Sequence, residues 1–238
     1  MKKIVLGFFA LFGIGLYKIK KEVVKKPKSE YKPIKNFEVT SAFEHNTAER
    51  MNDFFSDPEH VENYISDVRV DFYKQITEYF NENKIDLNNK EVLDVGCGTG
   101  HLLMYLSDHY KMKKVYGIDF SDAALAVAKK NLPEGEFMVH DIYKDHDKKY
   151  DIVLCTEVLE HLVDPEDALS NLEKMMNENS LLFITTPNGR TDTYKGHINY
   201  WGPEGWEIFL RKNCSQKNVK TGLLVDSRFN YACIKNAE

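Results

Sequence analysis

Four residues in the second half of the chain have side chains that bind metal ions or transfer protons. Glu157, Glu160 and His161 lie in the segment T-E-V-L-E-H, and His197 follows a later apolar run. If a helix begins at this segment, the two carboxylates and the imidazole share one helix face. Mixed oxygen and nitrogen donors suit one divalent cation, Mg or Mn, with His197 as fourth ligand. Two other interpretations stay open: the glutamates only cap the helix, or His161 or His197 alone acts as a catalytic general base.

A second chemical signal is the glycine-rich segment E-V-L-D-V-G-C-G-T-G-H at residues 91–101. Glycines 96, 98 and 100 allow the backbone to approach a ligand without an intervening Cβ. The spacing G-x-G-x-G is neither the G-x-G-x-x-G of dinucleotide-binding loops nor a Walker loop. Asp94, just before the loop, is a poor neighbour for a pyrophosphate and a good one for a cationic ligand.

Two more carboxylates are placed to bind the rest of such a ligand. Asp119 ends the second predicted strand, where an acidic residue accepts hydrogen bonds from ribose hydroxyls. Asp141 follows the third predicted strand and can accept a hydrogen bond from an adenine amino group. The loop and these carboxylates describe a nucleoside with a positively charged tail, a ligand that resembles S-adenosylmethionine.

The elements that position these residues alternate along the chain. Asp57-Pro58 is typical of a helix start, and apolar residues at helical spacing from Val61 to Phe80 predict one continuous helix. Strands are predicted at 91–95, 114–118, 136–140, 151–155 and 181–185, with a closing hairpin from 219–225 and 229–234. Helices are predicted at 100–108, 122–131, 203–212 and from 165 onward. Strands that alternate with helices predict an α/β fold with a doubly wound, Rossmann-like and mostly parallel sheet.

The order of the motifs resembles the class I S-adenosylmethionine-dependent methyltransferases over residues 58–234. D-V-G-C-G-T-G, G-I-D-F-S, H-D-I, D-I-V-L-C-T-E-V-L-E-H-L and T-T-P-N follow one another in the family's order. The resemblance implies a seven-stranded sheet with an antiparallel C-terminal hairpin and S-adenosylmethionine as cofactor. It implies that the cofactor pocket is lined by Asp94, Gly96, Gly98, Asp119, Phe120, Asp141 and Ile142. Cys97, Gly100 and Thr156 complete the predicted cofactor site.

The E-x-x-E-H motif is similar to that of two methyltransferase branches. One is the ubiquinone-biosynthesis O-methyltransferases, and the other is the small-RNA 2′-O-methyltransferases, in which a later histidine before aromatic residues helps to hold a metal. Here His197 precedes Tyr200 and Trp201. The resemblance implies methyl transfer to a hydroxyl, with His161 and His197 as catalytic residues and a metal bound by Glu157, Glu160 and both histidines.

The first 40 residues differ in composition from the rest. Residues 4–17 carry no charge. Residues 1–35 hold ten lysines and two glutamates and therefore have a net charge of +8. Since the whole chain has a net charge of −5, the remaining residues have a net charge of −13. Fourteen apolar residues are short for a membrane span. We predict an anchor and linker at 1–40, a methyltransferase domain at 41–238 and attachment of residues 1–35 to the cytoplasmic face of a membrane. A cleaved signal peptide and a frayed apolar terminus are the alternatives.

Composition limits the acceptor. With 42% hydrophobic and 29% charged residues the chain is globular, and its four cysteines include no C-x-x-C pair, which disfavours a disulfide framework or structural zinc. An acidic domain disfavours nucleic acid as partner. We therefore expect a small-molecule, lipid, quinol or glycan acceptor. The alternatives are an RNA ribose 2′-O-methyltransferase and a non-catalytic, membrane-tethered S-adenosylmethionine-binding module.

Overall fold

The computed structural model of the chain describes residues 46–216 and 218–236. The predicted anchor and linker lie outside these described residues and stay a prediction. Within the two described ranges, no helix combines the length and the apolar character that crossing a membrane requires.

Helical segments precede the sheet. They are α1 (Ala48–Ser56), α2 (Pro58–Glu62), a 3-10 turn (Asn63–Ile65) and α3 (Asp67–Glu82). Helix α1 was not predicted from the sequence. A helix does start at Pro58, but the prediction of one continuous helix to Phe80 was wrong, because Ser66 has an extended backbone with φ −63° and ψ 153° and starts α3 as its N-cap. Ile65 and Val68, at helical spacing in the sequence, are 58% and 50% exposed, so that spacing did not mark a buried face there.

Seven strands form one sheet in the described residues. They are β1 (Glu91–Val95), β2 (Lys114–Asp119), β3 (Glu136–Val139), β4 (Tyr150–Thr156), β5 (Met176–Pro187), β6 (Asn218–Leu224) and β7 (Phe229–Lys235). The order is β3-β2-β1-β4-β5-β7-β6. Strands β1 to β5 pair in parallel, and β7 is antiparallel to both β5 and β6. The predicted α/β, Rossmann-like seven-stranded sheet with a C-terminal hairpin is confirmed.

Helices pack on both faces of the sheet and bury its central strands. The connecting helices are α4 (His101–His109), α5 (Asp122–Asn131), α6 (Pro165–Lys174) and α7 (Pro203–Asn213). One apolar cluster includes Phe72 and Phe80 of α3 with Leu103 of α4, and a second includes Leu169 of α6 and Trp206 of α7. Each such side chain contributes on the order of 1.5–3 kcal/mol by leaving water, which makes the sheet a rigid base for the loops at its edge.

The chain reverses its direction of winding between β1 and β4. From β1 it proceeds outward to β2 and β3, and it then returns to place β4 and β5 on the other side. In open α/β sheets the crevice outside the carboxyl ends of the strands at such a switch point binds ligands. The glycine loop after β1 and the E-x-x-E-H segment after β4 both emerge there.

Candidate active site

One cavity of about 1620 Å³ lies at the carboxyl edge of the sheet. Its wall includes the loop after β1, the segment 156–163 after β4 and the segment 191–198 after β5. Helix α1 adds Phe54 and Phe55, and Tyr64 closes the same side. The predicted cofactor loop and the predicted metal ligands therefore share a single cavity.

The glycine loop has the backbone that its sequence predicts. Gly96, Gly98 and Gly100 have φ values of +72°, +50° and +74°, in the left-handed region that disfavours residues with a Cβ. A Cβ at position 96 would lie 2.4 Å from Cγ2 of Val158. The amide of Gly98 donates to Oδ2 of Asp119 at 2.9 Å, so the carboxylate predicted to bind ribose also holds the loop in place.

Asp94 presents a buried carboxyl group to the cavity. It is 2% exposed, and its Oδ1 has no hydrogen-bond partner in the described part of the chain. Burial, and then the charge of Asp119, raise the pKa of Asp94 well above its usual value. A positively charged ligand group would compensate this carboxylate, so the residues present fit a sulfonium- and amino-bearing cofactor.

The other predicted cofactor residues take different positions. Phe120, Asp141, Ile142 and Thr156 line the cavity. Cys97 also lines it, but burial raises the pKa of its thiol well above the usual value, so it is a packing residue and not a nucleophile. Gly100 does not line the cavity. It is the N-cap of α4, where an added Cβ would lie 3.1 Å from Cβ of Ala128.

The E-x-x-E-H segment is not the helix that its spacing predicts. Strand β4 runs to Thr156, Glu157 has a left-handed φ of +57°, and only a 3-10 turn follows, at Leu159–His161. The Glu157 amide still donates to the carbonyl of Thr185 at 3.1 Å. The backbone contact with β5 thus continues to Glu157, and the helical turn begins only at Leu159.

Three of the four predicted metal ligands converge. Glu160, His161 and His197 each offer a ligand atom, and these atoms all lie within 4.8 Å of one another. Oε1 of Glu160 is 4.0 Å from Nε2 of His161 and 3.9 Å from Nε2 of His197. Glu157 is not part of this group. Its Oε1 accepts a hydrogen bond from Oγ1 of Thr185 at 3.0 Å. We call Glu160, His161 and His197 the Glu/His cluster.

Backbone hydrogen bonds bring His197 to the cluster across 36 residues of sequence. The amides of Ile198 and Asn199 donate to the carbonyl of Glu160 at 2.7 and 2.9 Å. The Asn199 side-chain amide donates to the carbonyl of Leu162 at 2.7 Å. These contacts clamp the loop after β5 onto the 3-10 turn and fix the separation of the two histidines.

The electrostatics of the cluster favour a cation. Glu160 is 1% exposed, and neither of its carboxylate oxygens has a hydrogen-bond partner in the described residues. Burial, and then the charge of Glu157, raise the pKa of Glu160 well above its usual value. Burial, and then His197, lower the pKa of His161 to about 4, so this imidazole is neutral at pH 7. A buried carboxyl group beside two imidazoles is a donor set that could hold a divalent cation.

Two residues of the site escaped the sequence analysis. Asp192 lies 2.5 Å from His197 through its Oδ2, and Arg69 of α3 lines the cavity. Burial raises the pKa of Glu157, the positive charge of Arg69 lowers it, and the net pKa is about 7. Neither residue belongs to a local motif, so no spacing in the sequence identifies them.

The fold and the glycine loop with its carboxylates define a class I S-adenosylmethionine-dependent methyltransferase. The family model described as "Methyltransferase domain" matches residues 62–216. The chain belongs to this methyltransferase family.

Individual relatives are more distant. The chain is similar to the ubiquinone biosynthesis O-methyltransferase of Glaesserella parasuis serovar 5, with 30% identity over 177 residues that cover 64% of this chain and 74% of that enzyme. It is 32% identical over 124 residues to protein 235L of Invertebrate iridescent virus 6, covering 52% of this chain and about half (47%) of the viral protein. The fold is similar to that of the N-methyltransferase NodS from Bradyrhizobium japonicum WM9, determined with S-adenosylhomocysteine, with a TM-score of 0.64 and 18% identity over 81% of this chain and 100% of NodS.

Proposed function

We propose that this protein transfers the methyl group of S-adenosylmethionine to a hydroxyl of a small-molecule, lipid, quinol or glycan acceptor, and that the Glu/His cluster holds one divalent cation, Mg or Mn, beside that hydroxyl. One observation carries the proposal. The cofactor loop and a buried Glu160, whose carboxylate has no hydrogen-bond partner among the described residues, line the same cavity. The ubiquinone-biosynthesis relatives support an oxygen acceptor.

The chain's own residues would bind and orient the reactants. Asp94, Asp119 and the loop backbone would hold the cofactor with its cationic end at the sheet edge. Methyl transfer is an in-line displacement, so alignment and exclusion of water supply most of the rate. The aromatic side chains of Phe55, Tyr64 and Tyr73 wall the cavity and would exclude water from the acceptor.

The Glu/His cluster would prepare the acceptor. Both histidine Nε2 atoms and Oε1 of Glu160 face one another, and they would hold the cation. When bound, a divalent cation lowers the pKa of a hydroxyl and fixes its position. Three protein ligands leave coordination positions open, which favours an acceptor that chelates through two vicinal hydroxyls.

A general-base role for His197 is the competing function, and the short contact from Asp192 favours it. Metal-assisted methyl transfer and general-base catalysis by His197 differ in their response to chelators. If the cation is required, EDTA should abolish formation of S-adenosylhomocysteine from a catechol acceptor, and added Mg or Mn should restore it. If His197 acts alone, EDTA should have no effect.

The variant His161→Ala tests the same proposal. We expect it to lose turnover by at least 100-fold and to keep cofactor affinity within about threefold, because the cofactor loop follows β1 on a different segment. Calorimetric titration with S-adenosylhomocysteine measures the affinity. His109→Ala, at the exposed end of α4, is the matched control and should keep full turnover. Undiminished turnover of His161→Ala would contradict the proposal.

A further inference from the structure

Asp192 makes a short contact with His197 in the cavity and is not itself a member of the Glu/His cluster. Its side chain is 7% exposed, and that of His197 is 10% exposed. Oδ2 of Asp192 lies 2.5 Å from Nδ1 of His197, and Oδ1 accepts the amide of Tyr194 at 3.0 Å. Both carboxylate oxygens of Asp192 are therefore engaged, one by a side chain and one by the backbone.

The loop that carries Asp192 is itself held in place. The Asp192 amide donates to the carbonyl of Asn188 at 2.9 Å. Asn188 is 4% exposed, and its side-chain amide donates to the carbonyl of Ser227 at 2.8 Å. Asp192 thus projects from a buried anchor at the end of β5, and its carboxylate reaches His197 from a fixed direction.

The contact determines which nitrogen of His197 carries the proton. An ionised carboxylate only accepts hydrogen bonds, so Nδ1 must donate to it. In a neutral imidazole the lone pair is then on Nε2, and Nε2 lies 3.9 Å from Oε1 of Glu160. His161 has the same arrangement, with its Nδ1 3.3 Å from the carbonyl of Gly196 and its Nε2 4.0 Å from Glu160.

We propose that Asp192 is a positioning residue that keeps His197 in the tautomer whose Nε2 lone pair points at Glu160 and His161. The inference rests on the proposed function, because this lone pair is what a divalent cation in the Glu/His cluster would take. Carboxylates that hold a metal-binding histidine in this way raise metal affinity by about 10- to 100-fold.

Asp192→Asn is the sharpest variant because it preserves shape. If the amide oxygen keeps the hydrogen bond from Tyr194, the amide NH2 faces Nδ1 of His197. Nδ1 must then accept, so the proton moves to Nε2 and the lone pair turns away from the cluster. An equivalent exchange beside a catalytic histidine elsewhere leaves the geometry intact and reverses the tautomer.

The experiment uses the full chain with two measurements. Nitrogen-15 NMR of labelled histidines at pH 8 reports the tautomer of His197 without metal, and electron paramagnetic resonance reports the affinity for Mn²⁺. We expect Nδ1–H in the wild type, Nε2–H in Asp192→Asn, and a 10- to 100-fold weaker Mn²⁺ affinity in the variant. Asp145→Asn, an exposed carboxylate outside the cavity, should change neither value.

Each result supports or overturns the positioning role of Asp192. An Nε2–H tautomer of His197 in the wild type overturns the inference whether or not the variant folds, as does an Asp192→Asn variant with unchanged tautomer and Mn²⁺ affinity within twofold. If the wild type binds no Mn²⁺ while the tautomer still reverses in the variant, the positioning role of Asp192 stands and the proposed metal-assisted function fails.

Discussion

The glycine loop, through residues 94–99, and the Glu/His cluster line one cavity, but they are built in different ways. The loop is one continuous segment whose glycines set its backbone locally. The cluster joins a 3-10 turn after β4 to a loop after β5, and four backbone and side-chain hydrogen bonds from Ile198 and Asn199 hold them together. The comparison teaches that a motif predicts a site well where the chain itself makes it, and poorly where packing assembles it.

The two regions also differ in how their carboxylates are satisfied. Asp119 beside the loop accepts amides of Gly98 and Ser121 through both oxygens. Glu160 in the cluster accepts no hydrogen bond at its side chain from the described residues. Because a buried charge without a partner is costly, Asp119 is satisfied as folded, whereas Glu160, like Oδ1 of Asp94, would be satisfied by a proton or a cation.

The largest effect is expected from a variant that disrupts the glycine loop and leaves the Glu/His cluster intact. Gly98→Val should reduce affinity for S-adenosylhomocysteine by at least 100-fold, because it puts a branched side chain at a φ of +50° on the cavity wall. A Cβ there would lie 3.8 Å from Cζ of Phe55, an ordinary van der Waals contact, so the strain at this position comes from the backbone conformation. Calorimetry measures the affinity, and Mn²⁺ binding by the cluster should persist. Unchanged cofactor affinity would refute the assignment of the loop.

A smaller effect tests the electrostatics of the cluster region. Burial raises the folded-state pKa of Glu157 from its usual 4.5 to about 7, so the folded protein keeps a proton that the unfolded chain releases. The contribution of Glu157 to the free energy of unfolding is therefore full below pH 4.5 and is lost as the pH rises towards 7. Glu157→Gln cannot titrate and so avoids this loss. Its free energy of unfolding should therefore rise relative to that of the wild type, by on the order of 2 kcal/mol as the pH goes from 4.5 to 7.

Urea unfolding at pH 4.5, 5.5 and 7 in metal-free buffer measures this difference. The lowered pKa of His161 acts in the opposite direction in both proteins and cancels in the comparison. Glu166→Gln, on the exposed surface of α6, should show no such trend. Parallel pH profiles of Glu157→Gln and the wild type would show that Glu157 titrates normally.

The smallest effect on the site is expected from deletion of residues 1–35, which belong neither to the glycine loop nor to the Glu/His cluster. We propose that residues 1–35 attach the enzyme to the cytoplasmic face of a membrane, because an uncharged run is flanked by a net charge of +8. Deleting these residues should lower co-sedimentation with vesicles rich in anionic lipid and leave cofactor and Mn²⁺ affinities unchanged. High salt should lower it in the full chain if the lysines dominate. Equal sedimentation of both forms would rule the attachment out.

Local prediction succeeded where neighbours in sequence decide the structure. Ser121 caps α5 as a hydrogen-bonded N-cap, accepting the amide of Ala124 at 3.2 Å, and strand β1 has the predicted bounds. It failed at Ser66, where the chain breaks a run of helical spacing, and at Glu157, where pairing with β5 overrides helix formation. At Glu157 the contact with Thr185 of β5 outweighed a helix propensity of a few tenths of a kcal/mol per residue. At Ser66 the extended backbone of the N-cap ends the earlier helical run.

The sequence by itself determined the alternation of strands and helices, the left-handed glycine loop and the four candidate ligands Glu157, Glu160, His161 and His197. These follow from chain stereochemistry and from the side-chain chemistry of single residues. Only the tertiary structure decided that Glu157 turns away to Thr185, that Asp192 holds His197, and that Glu160 is buried without a hydrogen-bond partner in the described residues. The physical reason is that these properties depend on which segments the sheet brings to one edge, and no spacing along the chain encodes that distance.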